Sequence, residues 1–346
     1  MKIAHLFYNL RIGGSETMVI DIMNHQSVSE EVYLIIINKE NDPQLLQTIS
    51  PRIKAYIIGR NLGSKNPLPF IRLNRVISQL NPDVVHVHNH HIIPVLFKRK
   101  NTRYFFTAHT NGINILQYNR FDKIFSISKF VAQDIHDRYG IASPVIYNGI
   151  STPDIVYEPQ PAPYTTFRIV QIGRQLVQQK GQDILLKALH LLVHREKVTG
   201  LSLDFIGHGP DTEMLKRLAK ELDIQDHVTF LGARSRSFIY QHLHQYQLLV
   251  QASRQEGFGL TIAEAMCAGV PVLISDIKGP MEIIDNGKYG TAFESGNADS
   301  CAEKMADIIL HYPEYVQKTS SARDFVIQNF DISTTARNYI NAYQNT

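Results

Sequence analysis

The sequence has very little cysteine, no tryptophan and no long hydrophobic run. Cys267 and Cys301 are its only cysteines among 346 residues. A disulfide framework and a Cys-x-x-Cys motif are therefore excluded, and a reducing compartment is expected. The sequence contains no run of 18 apolar residues, the length needed to cross a bilayer. The segment Met1–Asn9 lacks the apolar stretch and cleavage site of a signal peptide. We expect a cytoplasmic protein.

The net charge is also small. Lys plus Arg amount to 35 and Asp plus Glu to 32, a formal net charge of +3, whereas a dedicated nucleic-acid-binding protein would carry a concentrated basic excess. Hydrophobic residues make up 44% of the chain, enough for a sizeable core. Residues 1–150 hold 17 basic and 10 acidic residues, and the remainder holds 18 and 22. This asymmetry suggests different partners for the two halves.

Short apolar runs alternate with stretches of helical period along the chain. The alternation predicts an α/β protein with doubly wound parallel sheets. The proline-rich segment 151–166 interrupts it, so we expect two Rossmann-like domains, residues 1–155 and 156–330, followed by a last helix within residues 331–346. The predicted strands are Ile3–Tyr8, Tyr33–Ile37, Lys54–Ile58, Val84–His88, Tyr104–Thr107, Ile124–Ser128, Phe167–Ile172, Leu203–Ile206, Val228–Leu231, Leu248–Gln251 and Val270–Ser275. The predicted helices are Glu16–His25, Pro69–Leu80, Lys129–Tyr139, Gln182–Arg195, Asp211–Leu222, Thr261–Ala268, Ala298–His311 and Asp331–Tyr343.

The first chemically informative segment, Gly13-Gly14-Ser15-Glu16, follows the first predicted strand and opens a helix. Two glycines let a backbone approach a phosphate closely, and a helix N-terminus supplies unpaired N–H groups. The segment also fits a tight turn with Ser15 as the N-cap. It is not a G-x-G-x-x-G fingerprint, so no nicotinamide cofactor is predicted.

A second glycine-bounded loop, Gly173–Gly181, follows the first strand of the second half. It carries Arg174 and Lys180, a planar guanidinium fork and a point charge that together suit a diphosphate. The alternative is two solvated charges in a loop. No Gly-Lys-Ser/Thr is present, so the loop is not the P-loop of an ATPase.

Two carboxylates bracket a glycine-rich turn in the segment Glu256–Glu264. Carboxylates accept hydrogen bonds from sugar hydroxyls, and the N–H groups of the turn can face an anion. Glu264 also fits a carboxylate that the helix dipole favours near an N-terminus. Glu256 does not fit that alternative, because it precedes the glycine turn.

Histidines cluster at the ends of two predicted strands. His86, His88 and His90 alternate and are expected on one face of a strand end, beside His91. A zinc site is not favoured, because no cysteine or carboxylate completes the ligand set. His109 follows a separate strand, where it could donate to an anionic or sugar oxygen or bond the backbone.

Basic residues also accompany the apolar segment Pro67–Ile71 in the first half. Positive charge beside exposed apolar side chains suits an anionic membrane surface or an anionic lipid-linked acceptor, and a solvated loop is the alternative. The basic residues are Arg60, Lys65, Arg72, Arg75, Lys98, Arg99, Lys100 and Arg103.

Together these segments resemble the GT-B glycosyltransferases of family 4 over almost the whole chain. The matching motifs of the second half are Gly173-Arg174 with Lys180-Gly181, Gly207-His208-Gly209-Pro210, Phe230-Leu231-Gly232, Glu256-Gly257-Phe258-Gly259, Glu264-Ala265-Met266 and Ala268-Gly269-Val270-Pro271-Val272. Those of the first half are Gly13-Gly14-x-Glu16, Thr107-Ala108-His109, Ile127-Ser128 and Asn148-Gly149-Ile150. Cys267 departs from the family, which usually has alanine there.

The resemblance implies two Rossmann-like domains that face each other across a cleft, with the last helix crossing back to the first domain. It also implies retaining transfer of a sugar from a nucleotide diphosphate sugar. The residues it assigns to donor binding are Gly13, Gly14, Arg174, Lys180, Gly207, Phe258, Gly259, Leu260 and Glu264. Those it assigns to catalysis are Glu256, His109, Arg174 and Lys180.

The resemblance also implies a role for each of these side chains. Arg174 and Lys180 would neutralise the diphosphate, so that neither a metal ion nor another cofactor is required. Glu256 would hold donor-sugar hydroxyls, and Glu264 would hold the ribose. His109 would contact the transferred sugar near its 6-position.

The expected donor nucleotide is UDP, with GDP second. The expected transferred group is a hexose or N-acetylhexosamine, and the expected acceptor is a glycan or a polyprenyl-diphosphate-linked glycan of a bacterial surface polysaccharide. Contact with the inner face of the plasma membrane through the basic first domain is also expected, and nucleic acid is not an expected partner. The alternatives are a sugar-nucleotide 2-epimerase on the same fold and an inactive partner subunit.

Overall fold

Parallel strand pairing organises the fold. The computed structural model describes residues 1–11, 13–159 and 164–346, so Pro161 and Pro163 of the predicted linker lie outside the described residues. The strands are β1 (Lys2–Phe7), β2 (Glu31–Asn38), β3 (Lys54–Arg60), β4 (Val84–Val87), β5 (Arg103–Ala108), β6 (Lys123–Ser126), β7 (Phe167–Ile172), β8 (Leu201–Ile206), β9 (Val228–Gly232), β10 (Leu248–Gln251), β11 (Val272–Ser275) and β12 (Thr291–Phe293).

Helices connect most of these strands. They are α1 (Gly14–Gln26), α2 (Pro43–Gln47), α3 (Leu68–Leu80), α4 (Lys129–Tyr139), α5 (Val177–Lys180), α6 (Gln182–His190), α7 (Thr212–Glu221), α8 (Arg236–His242), α9 (Leu260–Cys267), α10 (Lys278–Ile283), α11 (Ala298–Leu310), α12 (Tyr312–Gln317), α13 (Thr319–Phe330) and α14 (Ile332–Gln344). The predicted helix Gln182–Arg195 is α6 followed by a π-helical turn, Leu191–Arg195.

The chain divides into two units, residues 1–149 with 330–346 and residues 150–329. In the described part of the first unit, six parallel strands have the order β3-β2-β1-β4-β5-β6, and in that of the second the order is β12-β11-β10-β7-β8-β9. Numbered within each unit, both orders are 3-2-1-4-5-6, the doubly wound Rossmann arrangement. The predicted α/β class is confirmed.

The central strands are buried along most of their length, as expected where helices cover both faces of a parallel sheet. All residues of β2 except Glu31 are buried, and all of β4, β10 and β11 are buried. The two cysteines are free and buried. No helix in the described residues is both long and apolar enough to span a membrane.

The last helix, α14, packs beside α1 in the first unit. Its tyrosines reach the ends of the central strands, where the Tyr343 hydroxyl lies 2.5 Å from His86 Nδ1 and the Tyr339 hydroxyl 3.0 Å from Thr107 Oγ1. A Cβ on Gly149 would lie 2.7 Å from the backbone Cα of Ile332. The absence of a side chain at Gly149 therefore allows the start of α14 to approach this closely.

We expect Tyr343→Phe to lower the free energy of unfolding by about 1–3 kcal/mol, because it leaves His86 Nδ1 buried without a partner. Urea-induced unfolding followed by circular dichroism measures the change. The control Tyr118→Phe removes the same oxygen from an exposed ring and should change the free energy by less than about 0.5 kcal/mol. Equal effects of the two variants would contradict this docking of α14.

Candidate active site

The loop after β7 depends on close backbone packing at glycines. Gly181 has a φ of +60°, and a Cβ there would overlap the carbonyl oxygen of Ala252. A Cβ on Gly207 would likewise overlap the carbonyl oxygen of Gly173. Only glycine allows these approaches. The loops after β7, β8 and β10 therefore meet at the carboxyl end of the second sheet.

This packing brings together two of the predicted site residues. The Lys180 ammonium forms an ion pair and hydrogen bond with the Glu256 carboxylate. The side chains are 21% and 18% exposed, so the pair is partly desolvated. The stem of Lys180 lies beside Gly173, with its Cε 3.8 Å from the position of a Cβ there. Arg174 is exposed on the same loop.

An arginine that the motif analysis missed fixes this arrangement. Arg254 Nη1 donates to the Val177 carbonyl (2.8 Å), and both terminal nitrogens of its guanidinium donate to the Asp183 carboxylate (2.7 and 2.9 Å). The N–H groups of Arg254 and Gln255 donate to the Gln179 carbonyl. Burial opposes ionisation of Asp183, but Arg254 outweighs it and holds the pKa of that carboxyl below its ordinary value. The segment before Glu256 is thereby attached to α5 and α6.

The glycine-rich turn leads directly into α9. Gly259 is the N-cap, with a φ of +112° that favours glycine, and Phe258 is buried. Leu260 is the first helical residue, so its N–H is among those that the helix leaves unpaired. A Cβ on Gly279 would lie 2.5 Å from the Glu256 carbonyl oxygen. The start of α10 therefore packs against the turn from the other side.

Glu264 lies in the second turn of α9 and is 8% exposed. Burial raises its pKa to about 7, although the Arg236 charge and a hydrogen bond with Tyr240 oppose the shift. The first turn of α9 has no acidic residue. A favourable interaction with the helix N-terminus therefore does not explain this carboxyl. A buried carboxyl with a pKa close to 7 suits hydroxyl groups as hydrogen-bond partners.

In the first unit, α1 begins at Gly14 with Gly13 as its N-cap. The alternative with Ser15 as N-cap is wrong, because Ser15 lies inside the helix and its hydroxyl donates to the Glu16 carboxylate at 2.7 Å. Gly13 and Gly14 follow the carboxyl end of β1, and His109 directly follows β5. These residues belong to one sheet edge of the first unit.

The histidine cluster differs from the prediction in one member. His86 and His88 share a face, with ring centroids 4.4 Å apart, but the ring of His90 lies against His91 at 3.8 Å. The third member is His5 of β1, which pairs with His86 in the sheet register. Because β1 and β4 are neighbours only in the folded sheet, the local spacing carried no signal for His5.

Hydrogen bonds use nearly all the nitrogens of this cluster. His5 bonds Gln26 (2.8 Å) and His88 (2.9 Å), and His88 also bonds His109 (3.2 Å). Burial lowers the pKa of His5 and His109 to about 4. His5, His86 and His88 place one nitrogen each within 4.8 Å of the others, so they could hold a metal ion only by giving up these bonds.

Part of the predicted basic group lies along α3, which contains Arg72 and Arg75, whereas Arg103 lies on β5 and donates to the Tyr343 carbonyl oxygen. Arg99 donates to Ser78 Oγ at 2.8 Å, Lys98 pairs with Asp122 at 3.0 Å, and the Phe97 N–H bonds Asn74. The segment 97–99 therefore packs along α3. Four apolar side chains in this region are about half exposed or more, namely Leu62, Leu68, Ile71 and Phe97. Basic and apolar side chains thus share a surface of the first unit.

Two family models match the chain almost from end to end. Residues 157–324 match the model "Glycosyl transferases group 1", and residues 12–153 match the model "Glycosyltransferase Family 4". A GDP-mannose-dependent alpha-(1-6)-phosphatidylinositol monomannoside mannosyltransferase of Mycobacterium tuberculosis is 26% identical over 232 residues, 62% of this chain and 60% of that protein. The chain thus spans less than two thirds of the length of this relative.

Two further similarities extend over more of the chain. An uncharacterized glycosyltransferase of Methanocaldococcus jannaschii is 26% identical over 311 residues, 86% of this chain and 81% of that protein. The crystal structure of the Anabaena protein HepE in complex with UDP and glucose superposes with a TM-score of 0.80 at 18% identity, covering 100% of both chains. This structural likeness establishes the shared fold.

We expect the stability of the protein to depend on pH through Glu264. With its pKa raised from 4.5 to about 7, the native state binds more protons than the unfolded state between these values. The free energy of unfolding therefore falls as pH rises through that window, by up to roughly 1.4 kcal/mol per pH unit. Glu264→Gln should remove this contribution. The free energy of unfolding of the variant should therefore rise relative to that of wild type from pH 5 to pH 8.

Thermal unfolding at both pH values measures this gain. Glu303→Gln, at an exposed glutamate of the same unit, is the control and should follow wild type. A constant difference between wild type and Glu264→Gln at the two pH values would contradict the raised pKa.

Proposed function

The chain belongs to the GT-B glycosyltransferases of family 4, and from that premise we propose that it transfers a hexose or N-acetylhexosamine from a nucleotide diphosphate sugar with retention. We favour UDP as the nucleotide and place GDP second. The proposed acceptor is a glycan or lipid-linked glycan in bacterial surface polysaccharide biosynthesis. The observation that carries the proposal is the Lys180–Glu256 ion pair beside the glycine-rich start of α9.

The ion pair prepares both residues for a sugar diphosphate. An arriving diphosphate competes with Glu256 for the Lys180 ammonium and also meets the exposed Arg174 guanidinium. The freed Glu256 carboxylate can then accept hydrogen bonds from sugar hydroxyls. Because the loops are already held by Arg254 and the glycine contacts, little reorganisation is required when charge develops.

In the proposed reaction the bond between the anomeric carbon and the diphosphate oxygen breaks, and the acceptor oxygen bonds the same face of the sugar. The acceptor proton passes to the departing phosphate oxygen. Lys180, Arg174 and the N–H groups at the start of α9 stabilise the charge that develops on the diphosphate. Glu264 accepts hydrogen bonds from the ribose. We propose that no metal ion or other cofactor is needed.

Two relatives differ in the donor that their names state. The mannosyltransferase is named as GDP-mannose-dependent, and the HepE structure contains UDP and glucose. A thermal-shift screen with UDP-glucose, UDP-N-acetylglucosamine and GDP-mannose separates these donors, because a ligand above its dissociation constant raises stability measurably.

We expect Lys180→Ala to lower kcat/KM for transfer of radiolabelled sugar by about a hundredfold or more, since it removes a charge that stabilises the departing diphosphate. Glu256→Ala should also abolish most transfer. The matched control is Lys187→Ala, which removes a 54% exposed lysine of α6 and should leave the rate within about twofold. Full activity of folded Lys180→Ala and Glu256→Ala would overturn the proposed function, and loss of wild-type activity in EDTA would overturn its metal independence.

We further propose that the basic and apolar surface along α3 contacts an anionic membrane. Leu68 and Phe97 are 63% and 69% exposed, and Lys98, Arg99 and Lys100 directly follow Phe97 in the sequence. Exposed apolar side chains can enter the headgroup region, while the cations attract anionic lipid by about 1 kcal/mol each.

We expect the triple variant Lys98→Ala, Arg99→Ala and Lys100→Ala to bind phosphatidylglycerol-containing vesicles at least tenfold more weakly than wild type, because three attractive charges are removed. Co-sedimentation with vesicles measures binding. Removal of three exposed charges from α7, at Lys216, Arg217 and Lys220, is the matched control and should have little effect. Unchanged vesicle binding of the first variant would refute the membrane contact.

A further inference from the structure

A continuous hydrogen-bonded chain runs through the interior of the first unit from Gln26 through His5 and His88 to His109, and we call it the histidine chain. Gln26 is fully buried, and its side-chain oxygen lies 2.8 Å from His5 Nε2. A carbonyl oxygen only accepts, so His5 Nε2 carries the proton and donates. The other nitrogen of a neutral ring, His5 Nδ1, is therefore an acceptor.

This choice determines the proton positions in the next two rings. His88 Nε2, 2.9 Å from His5 Nδ1, must donate to it, which leaves His88 Nδ1 as an acceptor. His109 Nε2, 3.2 Å from His88 Nδ1, must then donate in turn. Burial keeps the rings neutral by lowering the pKa of each histidine. The lone pair of His109 Nδ1, at the end of the histidine chain, therefore receives no hydrogen bond from the other members of that chain.

The orientation of the Gln26 amide sets the direction of the whole chain, because a flipped amide would reverse every donor and acceptor. No full hydrogen bond forms to the Gln26 amide nitrogen in the described residues. The carbonyl oxygen of Gln26 faces His5 Nε2 at 2.8 Å, and this contact sets the direction of the histidine chain.

His109 Nδ1 is a buried acceptor that finds no partner in the part of the chain that the structure describes. An unsatisfied buried acceptor is costly and requires an explanation. Since the lone pair needs a donor, a hydroxyl group can satisfy it, whereas an unprotonated phosphate oxygen cannot.

We propose that Gln26, His5 and His88 are positioning residues that hold His109 in the Nε2-protonated form, so that its Nδ1 accepts a hydrogen bond from a hydroxyl of the donor sugar. The sugar contact rests on the proposed function, but the protonated nitrogen does not depend on it. This replaces the expectation that His109 donates to a sugar or anionic oxygen, because in the proposed tautomer its only ring proton is used within the protein.

The test is the tautomer of His109 in the full-length protein. Long-range ¹H–¹⁵N correlation spectra of uniformly labelled protein, with the His109 signals assigned from His109→Asn, distinguish protonated from unprotonated ring nitrogens. We expect the proton on Nε2 in wild type. Gln26→Leu removes the terminal acceptor and should give a mixture of both tautomers. Gln47→Leu makes the same change at an exposed position of the first unit and should give the wild-type spectrum.

A second variant covers the case in which Gln26→Leu does not fold. His88→Phe removes the acceptor of His109 directly, and the aromatic ring fits because Phe7 already stacks on His88 at 4.6 Å. It should likewise release the His109 tautomer. A wild-type proton on Nδ1, or a His109 tautomer unchanged in a folded Gln26→Leu or His88→Phe variant, would overturn the proposal.

Ligand addition tests the sugar contact separately. Whichever of UDP-glucose, UDP-N-acetylglucosamine and GDP-mannose binds in the thermal-shift screen should shift the His109 Nδ1 resonance, whereas UDP or GDP alone should not. An equal shift with the bare nucleotide would refute the sugar contact. Gln26→Leu should lower kcat/KM about five- to tenfold, the fold-change of one hydrogen bond, with nucleotide affinity unchanged. If none of the three nucleotide sugars binds, the proposed function fails, and the spectra still decide the tautomer of His109.

Discussion

The candidate donor site depends on how closely backbones approach each other at the carboxyl end of the second sheet. The positions of a Cβ on Gly181 and on Gly207 are occupied by carbonyl oxygens of neighbouring loops. Any side chain at these positions would push apart the loops that carry Lys180 and Glu256. The ion pair between these residues, which are 76 positions apart, is therefore a consequence of glycine packing, and Arg254 stabilises the same arrangement through Asp183 and two backbone carbonyls.

A partly buried ion pair contributes little to stability in general, because desolvation offsets much of the attraction. The Lys180–Glu256 pair is better explained by the interactions that each side chain can make once an anion has separated the two. An anion that displaces the Glu256 carboxylate can bind Lys180, which is already positioned. The displaced carboxylate then lies beside the turn at Gly259. Charge balance in the absence of a ligand and readiness for an anion thus follow from one interaction.

Most of the fold could be predicted because the buried strands are continuous apolar runs separated by amphipathic stretches. The predicted helix Lys129–Tyr139 has the observed bounds, and in the structure Ser128 and Gly140 cap it. Short elements such as α8 and β12 escaped, since they have too few residues to show a period. The site motifs identified Lys180 and Glu256 but not Arg254 or His5, because the partners of these residues are distant in sequence and only the sheet order brings them together.

The two units solve different problems with different electrostatics. The second uses full charges, which suit an anion and act without regard to direction. The first buries neutral histidines, and a neutral ring is directional because one nitrogen donates and the other accepts. In the histidine chain, the single amide of Gln26 fixes the proton position on His109, the third ring along the hydrogen bonds. No net charge has to be desolvated for this. Burial, which would be costly for a charge, here preserves the neutral state on which that direction depends.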